Sequence, residues 1–190
     1  MRGLNQWVDN GGALIGIRQG ADWIGKNILN GKNEEKKKRQ AKWDKKPKAN
    51  KEKDPKDKEI QRYKYAEKES RDPLNVIGGT IFSGNLDITH PIGFGYKNEN
   101  VALHKNTTSI LPRPNNPYAT VIEYQDKPVI SGYASDENKK KLANTAALIA
   151  ERKGKGSIIL FADDPNFRAT WYGTNKLFLN SLFFSSLFNP

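Results

Sequence analysis

The run Gly16-Ile17-Arg18-Gln19-Gly20 has the spacing of a nucleophile elbow, in which two glycines allow a sharp turn between a strand and a helix. Such a turn presents its central side chain at the edge of a sheet, and here that side chain is Arg18. A guanidinium stays protonated and has no lone pair to offer, so Arg18 cannot be a nucleophile. We favour a tight turn whose glycines only permit close packing. The functional alternative is that Arg18 binds an anion or a carboxylate in a crevice.

A second polar turn, Asp163-Asp164-Pro165-Asn166-Phe167-Arg168, follows the apolar run at 157–161. Paired acids at the end of a buried strand could transfer protons or hold Mg²⁺. No histidine or lysine is close to them in sequence, so we favour helix capping and a salt bridge to Arg168. Because both turns are predicted to follow buried parallel strands, they are expected at the same edge of the sheet. The candidate crevice therefore comprises Arg18, Asp163, Asp164, Asn166 and Arg168.

Thiol and metal chemistry find little support in the sequence. The chain has no cysteine, which excludes disulfides, thiolate zinc sites and cysteine nucleophiles. The third residues after His90 and His104 are Gly93 and Thr107, so neither histidine belongs to the His-x-x-Glu pair of a carboxypeptidase-type zinc site. Asp87 with His90 could bind a metal weakly, but we favour a structural turn in which Asp87 accepts from the backbone or from His90. No catalytic residue and no metal ligand is predicted.

The positive charge of the chain is concentrated in one segment. The net charge is +11 at pH 7 over 190 residues, and residues 31–72 supply +7 of it, from 17 Lys/Arg and 10 Asp/Glu. This segment is of low complexity, and Pro47 and Pro55 prevent one unbroken helix. We predict one domain over residues 1–190, interrupted by a charged insertion at 31–72. No apolar run approaches the ~20 residues of a membrane span, and no membrane partner is expected.

The residues before the insertion predict half of a doubly wound α/β unit. Residues 4–8 have helical spacing, residues 13–17 are a continuous apolar run, and residues 21–29 predict the next helix. A continuous apolar run of strand length is typical of a strand buried on both faces of a parallel sheet. Such a strand needs parallel neighbours, and no strand precedes it. We therefore expect the domain to be truncated on its N-terminal side, with Met1 not the natural start.

The residues after the insertion predict further strands and helices. An antiparallel hairpin is indicated at 119–133, where two apolar runs flank Gln125-Asp126-Lys127-Pro128. The remaining predicted elements are strands at 78–87, 101–104, 108–111 and 157–161, and helices at about 137–150 and 175–184. The predicted fold class is α/β with a doubly wound, mostly parallel sheet.

Two parts of the sequence resemble a known domain family. One is residues 154–168, GKGSIILFADDPNFR, continued by residues 171–180, WYGTNKLFLN. The other contains, in order, Gly79-Thr80-Ile81-Phe82, Leu86-Asp87, Thr89-His90-Pro91-Ile92-Gly93-Phe94-Gly95-Tyr96 and Ser131-Gly132-Tyr133. In this order they resemble the glutamine-amidotransferase-like, flavodoxin-like domain appended to bacterial zinc carboxypeptidases of the carboxypeptidase A-like class. The resemblance covers residues 4–184 apart from the insertion.

The resemblance implies the fold and argues against the reaction. Class I glutamine amidotransferases use a cysteine on the elbow and a His-Pro-Glu after the last strand. Arg18 stands here at the cysteine, and Asp164-Pro165-Asn166 stands where His-Pro-Glu would be. The implied function is a non-catalytic accessory domain that serves packing, stability or ligand binding.

The resemblance also implies a context. The partner would be an upstream peptidase domain of the same polypeptide, and that domain would hold the zinc, so no cofactor is expected in residues 1–190. The sequence leaves open whether the chain forms a homo-oligomer. The location would be periplasmic or secreted if the parent protein carries a signal peptide.

Two other function classes stay open. The insertion, with Trp43, Tyr63 and Tyr65 among its basic residues, could bind nucleic acid or another polyanion. Its ten acidic residues argue against that and favour a solvated segment. A hydrolase would need a nucleophile other than Arg18, and Ser83 and Ser131 are the serines to test, although neither has an evident base.

Overall fold

The computed structural model describes residues 2–29 and 62–188. The helices are α1 (Arg2–Asp9), α2 (Gln19–Ile24), α3 (Lys68–Arg71), α4 (Asp136–Leu142) and α5 (Asn175–Phe183). A π-helical turn, Gly25–Leu29, continues α2. The strands are β1 (Ala13–Ile17), β2 (Thr80–Leu86), β3 (Asn100–Lys105), β4 (Thr120–Ser131), β5 (Ala146–Lys153) and β6 (Gly156–Phe161). Short 3-10 turns lie at Tyr65–Glu67, Asp72–Asn75, Pro91–Gly93 and Phe167–Ala169.

Most of the predicted insertion, residues 31–61 with Trp43, lies outside the described residues. Its last part, residues 62–72, forms short, mostly exposed helical turns. Lys68 pairs there with Asp72, and Arg71 pairs with Glu67, each across one helical turn. Exposed pairs of this kind contribute only a few tenths of a kcal/mol each, roughly, to stability.

The six strands form one mixed sheet in the order β1-β6-β5-β4-β2-β3. Only β1 and β6 are parallel, and the other four pairs are antiparallel. The predicted doubly wound, mostly parallel sheet is therefore wrong. A parallel sheet needs a long crossover between successive strands, whereas the chain passes from Lys153 at the end of β5 to Gly156 at the start of β6 in a tight hairpin. The strands predicted at 13–17 and 157–161 are confirmed, but β1 is an edge strand with a single neighbour.

The predicted helix at 137–150 is wrong in its second half. Helix α4 ends at Leu142, because Ala143 leaves the helical region with ψ 134° and Asn144 follows in a left-handed conformation with φ 58°. Residues 146–150 are then all buried, as β5 crosses the sheet between β4 and β6. A run of apolar residues fits either a buried strand or a buried helix, and periodicity alone does not separate the two.

The predicted hairpin at 119–133 is also wrong, because both halves belong to the single long strand β4. Tyr124 pairs with Gly84 and Val129 pairs with Phe82, so residues 125–128 bulge out opposite Ser83. Pro128 has no N–H for the ladder, and a bulge is one of the places where a strand tolerates it. The segment predicted as a strand at 108–111 contributes only an isolated bridge from Leu111 to Ala146.

The directions of the strands bring four carboxyl ends to the same edge of the sheet. From the pairings, β1, β6, β4 and β3 run in one direction, and β5 and β2 run in the other. In a flat sheet, four spacings of about 4.8 Å would put β6 and β3 about 19 Å apart. Lys105, at the end of β3, nonetheless forms an ion pair with Asp163, just beyond β6. The sheet is therefore curled, and its carboxyl edge closes toward a common centre.

Both faces of the sheet are covered by apolar packing. Ile158 and Leu160 of β6 pack with α1 and α2 residues such as Val8 and Ile24. Ile159 and Phe161 face the other way, in the larger cluster that includes Leu177 of α5. This two-sided burial of β6 anchors the turn that follows it, which carries Asp163 and Asp164.

Candidate functional site

Arg18 lies in a strained strand-to-helix turn at the carboxyl edge of the sheet. Its backbone has φ 54° and ψ −122°, a combination that residues with a side chain rarely adopt, and α2 begins at the next residue. Gly16 makes this turn possible, since a Cβ there would lie 2.9 Å from the Ala21 Cα and 2.7 Å from the Ile24 Cδ1. The amide of Arg18 donates to the Phe161 carbonyl at 2.8 Å, which ties the turn to β6.

The Arg18 side chain lines a polar cleft of ≈ 360 Å³. Its Nε is buried, and the guanidinium makes no hydrogen bond or ion pair with any described residue. One wall of the cleft is the start of α2 with Gln19 and Asp22, and the other is the loop after β3, residues 106–109, with Val76 and Ile77 beside it. A buried guanidinium nitrogen without a partner is costly unless a ligand or water satisfies it.

The loop after β3 brings three hydroxyl-bearing residues to the cleft, Thr107, Thr108 and Ser109. Thr107 is 9% exposed, and its buried Oγ1 has no partner among the described residues. Ser109 is held on both sides: its hydroxyl donates to Asp22 Oδ2, and its carbonyl accepts from Lys105 Nζ at 2.7 Å. The position of this wall is thus fixed by Lys105.

Asp163 lines a separate, small cavity of ≈ 20 Å³ on the other side of Lys105. Its Oδ1 accepts from Lys105 Nζ at 2.9 Å, and its Oδ2 accepts from the Tyr124 hydroxyl. Burial raises the pKa of Tyr124 well above its usual value, and the Asp163 charge raises it further, so the phenol stays protonated and donates. The predicted single crevice is therefore divided: Arg18 and Asp163 share an edge of the sheet, and Lys105 stands between them.

The other members of the candidate crevice lie farther out. Asp164 Oδ1 accepts from the Asn166 amide at 3.0 Å in a local turn, and Asp164 lines the small cavity of Asp163. Asn166 Oδ1 is buried without a partner among the described residues. Arg168 is exposed and lies over the Phe167 ring at 5.2 Å. No ion pair joins Arg168 to Asp163 or Asp164 within the described residues, and Asp163 pairs with Lys105 instead.

Asp87 and His90 lie in one turn without a side-chain bond between them. Asp87 Oδ1 accepts from the Thr89 amide at 2.9 Å and from the Thr89 hydroxyl. His90 Nδ1 accepts from the Ile92 amide at 3.1 Å and so caps the following 3-10 turn. Burial lowers the pKa of His90, and the nearby Asp87 charge opposes that shift. The arrangement is that of a structural turn rather than a ligand site.

The geometry gives this site binding chemistry rather than covalent chemistry. The residues that line the Arg18 cleft include one arginine, one aspartate and three hydroxyl-bearing residues. Ser83 lies on β2 and Ser131 ends β4, and no hydrogen bond links either hydroxyl to a histidine in the part of the chain that the structure describes. Within residues 2–29 and 62–188 there is also no group of three or more His, Asp or Glu side chains arranged to hold a metal ion.

Five residues of the site were not predicted from the sequence: Asp22, Lys105, Thr107, Ser109 and Tyr124. A signal existed for Lys105, because it continues the buried alternation of Val101 and Leu103 along β3. No local sequence pattern indicated Asp22 or Thr107, since their roles depend on the packing of the loop after β3 against α2.

No family model, curated protein or solved structure matches this chain. None of the described helices is long and apolar enough to cross a membrane.

Proposed function

We propose that this domain is a non-catalytic binding module that holds a small carboxylate-bearing ligand in the cleft at Arg18. The observation that carries the proposal is the Arg18 guanidinium, which lines a polar cleft with a buried Nε and no partner among the described residues. A guanidinium matches a carboxylate in shape and charge, and it can donate two parallel hydrogen bonds to it.

Two features of the turn support a binding role. The backbone of Arg18 is strained, and strain of this kind persists where the surrounding structure holds it in place, often at functional sites. The opposite wall is fixed by the buried Lys105, so the cleft is preorganised rather than formed when a ligand arrives. An arginine on the elbow supplies charge and hydrogen bonds but no nucleophile.

The biological context is a further part of the proposal. The mixed sheet is not the doubly wound sheet that the resemblance to the appended domain of bacterial zinc carboxypeptidases implies. The motifs at residues 154–168 and 171–180 alone support an accessory role beside a peptidase domain in a longer protein. In that setting the domain binds a ligand and packs against its neighbour, and the peptidase domain performs the zinc chemistry.

The test is a titration of the ¹⁵N-labelled chain with sodium propionate, followed by amide chemical shifts. We expect saturable shifts centred on residues 18–22 and 106–109, and we expect Arg18→Gln to abolish them. Arg168→Gln is the matched control, since it removes one exposed arginine outside the cleft and should leave the titration unchanged. Propionate shifts that are absent, or identical in Arg18→Gln, would refute the proposal.

A further inference from the structure

The Arg18 cleft also contains a carboxylate without a cation. Asp22 lies one helical turn beyond Arg18, and its amide donates to the Arg18 carbonyl at 3.2 Å. The two side chains do not pair with each other, and no described lysine, arginine or histidine forms an ion pair with Asp22. One cleft therefore holds a positive and a negative group, and neither has a partner of opposite charge.

The hydrogen bonds of Asp22 leave room for a donor from a ligand. One carboxylate oxygen, Oδ2, accepts from the Ser109 hydroxyl, which orients the group, and the described residues supply no donor to Oδ1. Lys105, which also contacts Ser109, is committed to Asp163 and to the Ser109 carbonyl. A carboxylate has about four acceptor positions, so Asp22 can take further donors.

Thr107 provides a second observation that points to a ligand. The residue is 9% exposed, its Oγ1 is buried and has no partner among the described residues, and the residue lines the same cleft. A hydroxyl can both donate and accept, so it can bond to either charged group of a ligand. Arg18 and Thr107 belong to different elements, and the fold brings both residues to the lining of one cleft.

We infer that the ligand is a small zwitterion, with an ammonium group for Asp22 and a carboxylate for Arg18. This inference rests on the proposed function and deepens it. A purely anionic ligand would meet repulsion from Asp22, and a purely cationic one would meet repulsion from Arg18. A zwitterion neutralises both charges and brings no net charge into the cleft.

The test compares three ligands that differ only in the ammonium group. Alanine and β-alanine are propionate with an ammonium on different carbons, so titration of the wild-type chain with all three isolates the effect of that group. We expect at least one of the two amino acids to bind about tenfold more tightly than propionate, the usual scale for an added charge-assisted hydrogen bond. Ethylamine, which lacks the carboxylate, should bind more weakly than either amino acid.

Asp22→Asn removes the charge and keeps an oxygen that can accept from Ser109. It should reduce the amino-acid affinity to the level of propionate and leave propionate binding unchanged or tighter. Asp126→Asn, at an exposed acid outside the cleft, is the matched control and should change nothing. If Asp22→Asn does not fold, the wild-type ligand comparison still decides the question.

The outcomes separate this inference from the proposed function. If propionate binds through Arg18 but neither amino acid binds more tightly, the zwitterion is wrong and the carboxylate site stands. If the amino acids bind more tightly and Asp22→Asn keeps that advantage, the role of Asp22 is wrong. If none of the ligands binds through Arg18, both the inference and the proposed function fail.

Discussion

Lys105 has no exposed side-chain surface, and its ammonium lies 2.9 Å from the Asp163 carboxylate, which is 10% exposed. The two residues belong to parts of the chain that are separated in the sheet by β5, β4 and β2. The same ammonium also holds the Ser109 carbonyl, so this ion pair sets the position of the cleft wall. Its removal therefore affects both the closure of the sheet and the site.

We expect Lys105→Met to lower the free energy of unfolding by about 3–5 kcal/mol, because it leaves the Asp163 charge buried without a cation. Asp163→Asn should cost a similar amount, since it leaves Lys105 buried. The double variant should recover much of the combined loss, because no unpaired charge remains. Urea unfolding of the four proteins measures this coupling. Losses that simply add would show that the two charges do not interact in solution.

The backbone of Arg18 predicts an unusual order of stability between two variants. At ordinary positions alanine is more stabilising than glycine by about 0.4–1 kcal/mol. At φ 54° and ψ −122° a Cβ is disfavoured, so we expect Arg18→Gly to be more stable than Arg18→Ala by about 1 kcal/mol. Gln19, the first residue of α2, is the control, and there alanine should be the more stable. If alanine is the more stable variant at both positions, the backbone of Arg18 is not strained.

Local sequence patterns predicted several elements but not the arrangement of the sheet. The strand at 157–161 and the helix at about 175–184 were predictable, because their patterns are decided by a few neighbouring residues. The second half of the predicted helix at 137–150 is β5, and the predicted hairpin at 119–133 is β4. These two errors led to the wrong type of sheet. Because β5 lies between β6 and β4, the sheet is mixed rather than mostly parallel.

The candidate site was predictable only where a local motif existed. The glycine spacing around Arg18 indicated a sharp turn, and the structure has one there. The division between the Arg18 cleft and the Asp163 cavity depends on Lys105, which reaches both through the curl of the sheet. That curl is a property of all six strands together, so no short segment encodes it.

The stability of the domain should depend on pH through His90. Burial lowers the pKa of His90 below its usual value near 6.5, and the neutral ring accepts a hydrogen bond from the Ile92 amide. His90 therefore binds a proton more tightly in the unfolded chain than in the folded one. The stability that the neutral ring contributes is present above about pH 6.5 and is lost as the pH falls through the folded pKa. In His90→Asn, whose oxygen can accept the same bond, Tm should fall less between pH 7 and 5. If Tm changes with pH in the same way in the two proteins, His90 is not a source of the pH dependence of stability.

The chain should release no ammonia from glutamine and remove no C-terminal residue from peptides. The elbow carries Arg18, which offers no nucleophile, and the turn after β6 carries Asp164-Pro165-Asn166 without a histidine. A coupled ammonia assay and mass spectrometry of a peptide substrate measure the two reactions, with Arg18→Gln as a background control. Stoichiometric zinc together with peptide cleavage, or ammonia release that is lost in Arg18→Gln, would overturn the non-catalytic proposal.

Most of the charged segment should be dispensable for the core, whereas the residues just after it should not. Its polar composition cannot bury enough apolar surface to offset ordering at roughly 1–2 kcal/mol per residue. Replacing residues 32–69 with a short Gly/Ser linker should keep unfolding cooperative and shift Tm by a few degrees, the scale of about 1 kcal/mol. A longer replacement through residue 74 is the matched control. It removes the Leu74 carbonyl, which accepts from the Ser135 hydroxyl at 2.8 Å and from the Asn138 Nδ2 at 2.9 Å, so it should cost clearly more. Differential scanning calorimetry of both variants measures the two shifts. Loss of the cooperative transition in the shorter replacement would show that the segment is part of the core.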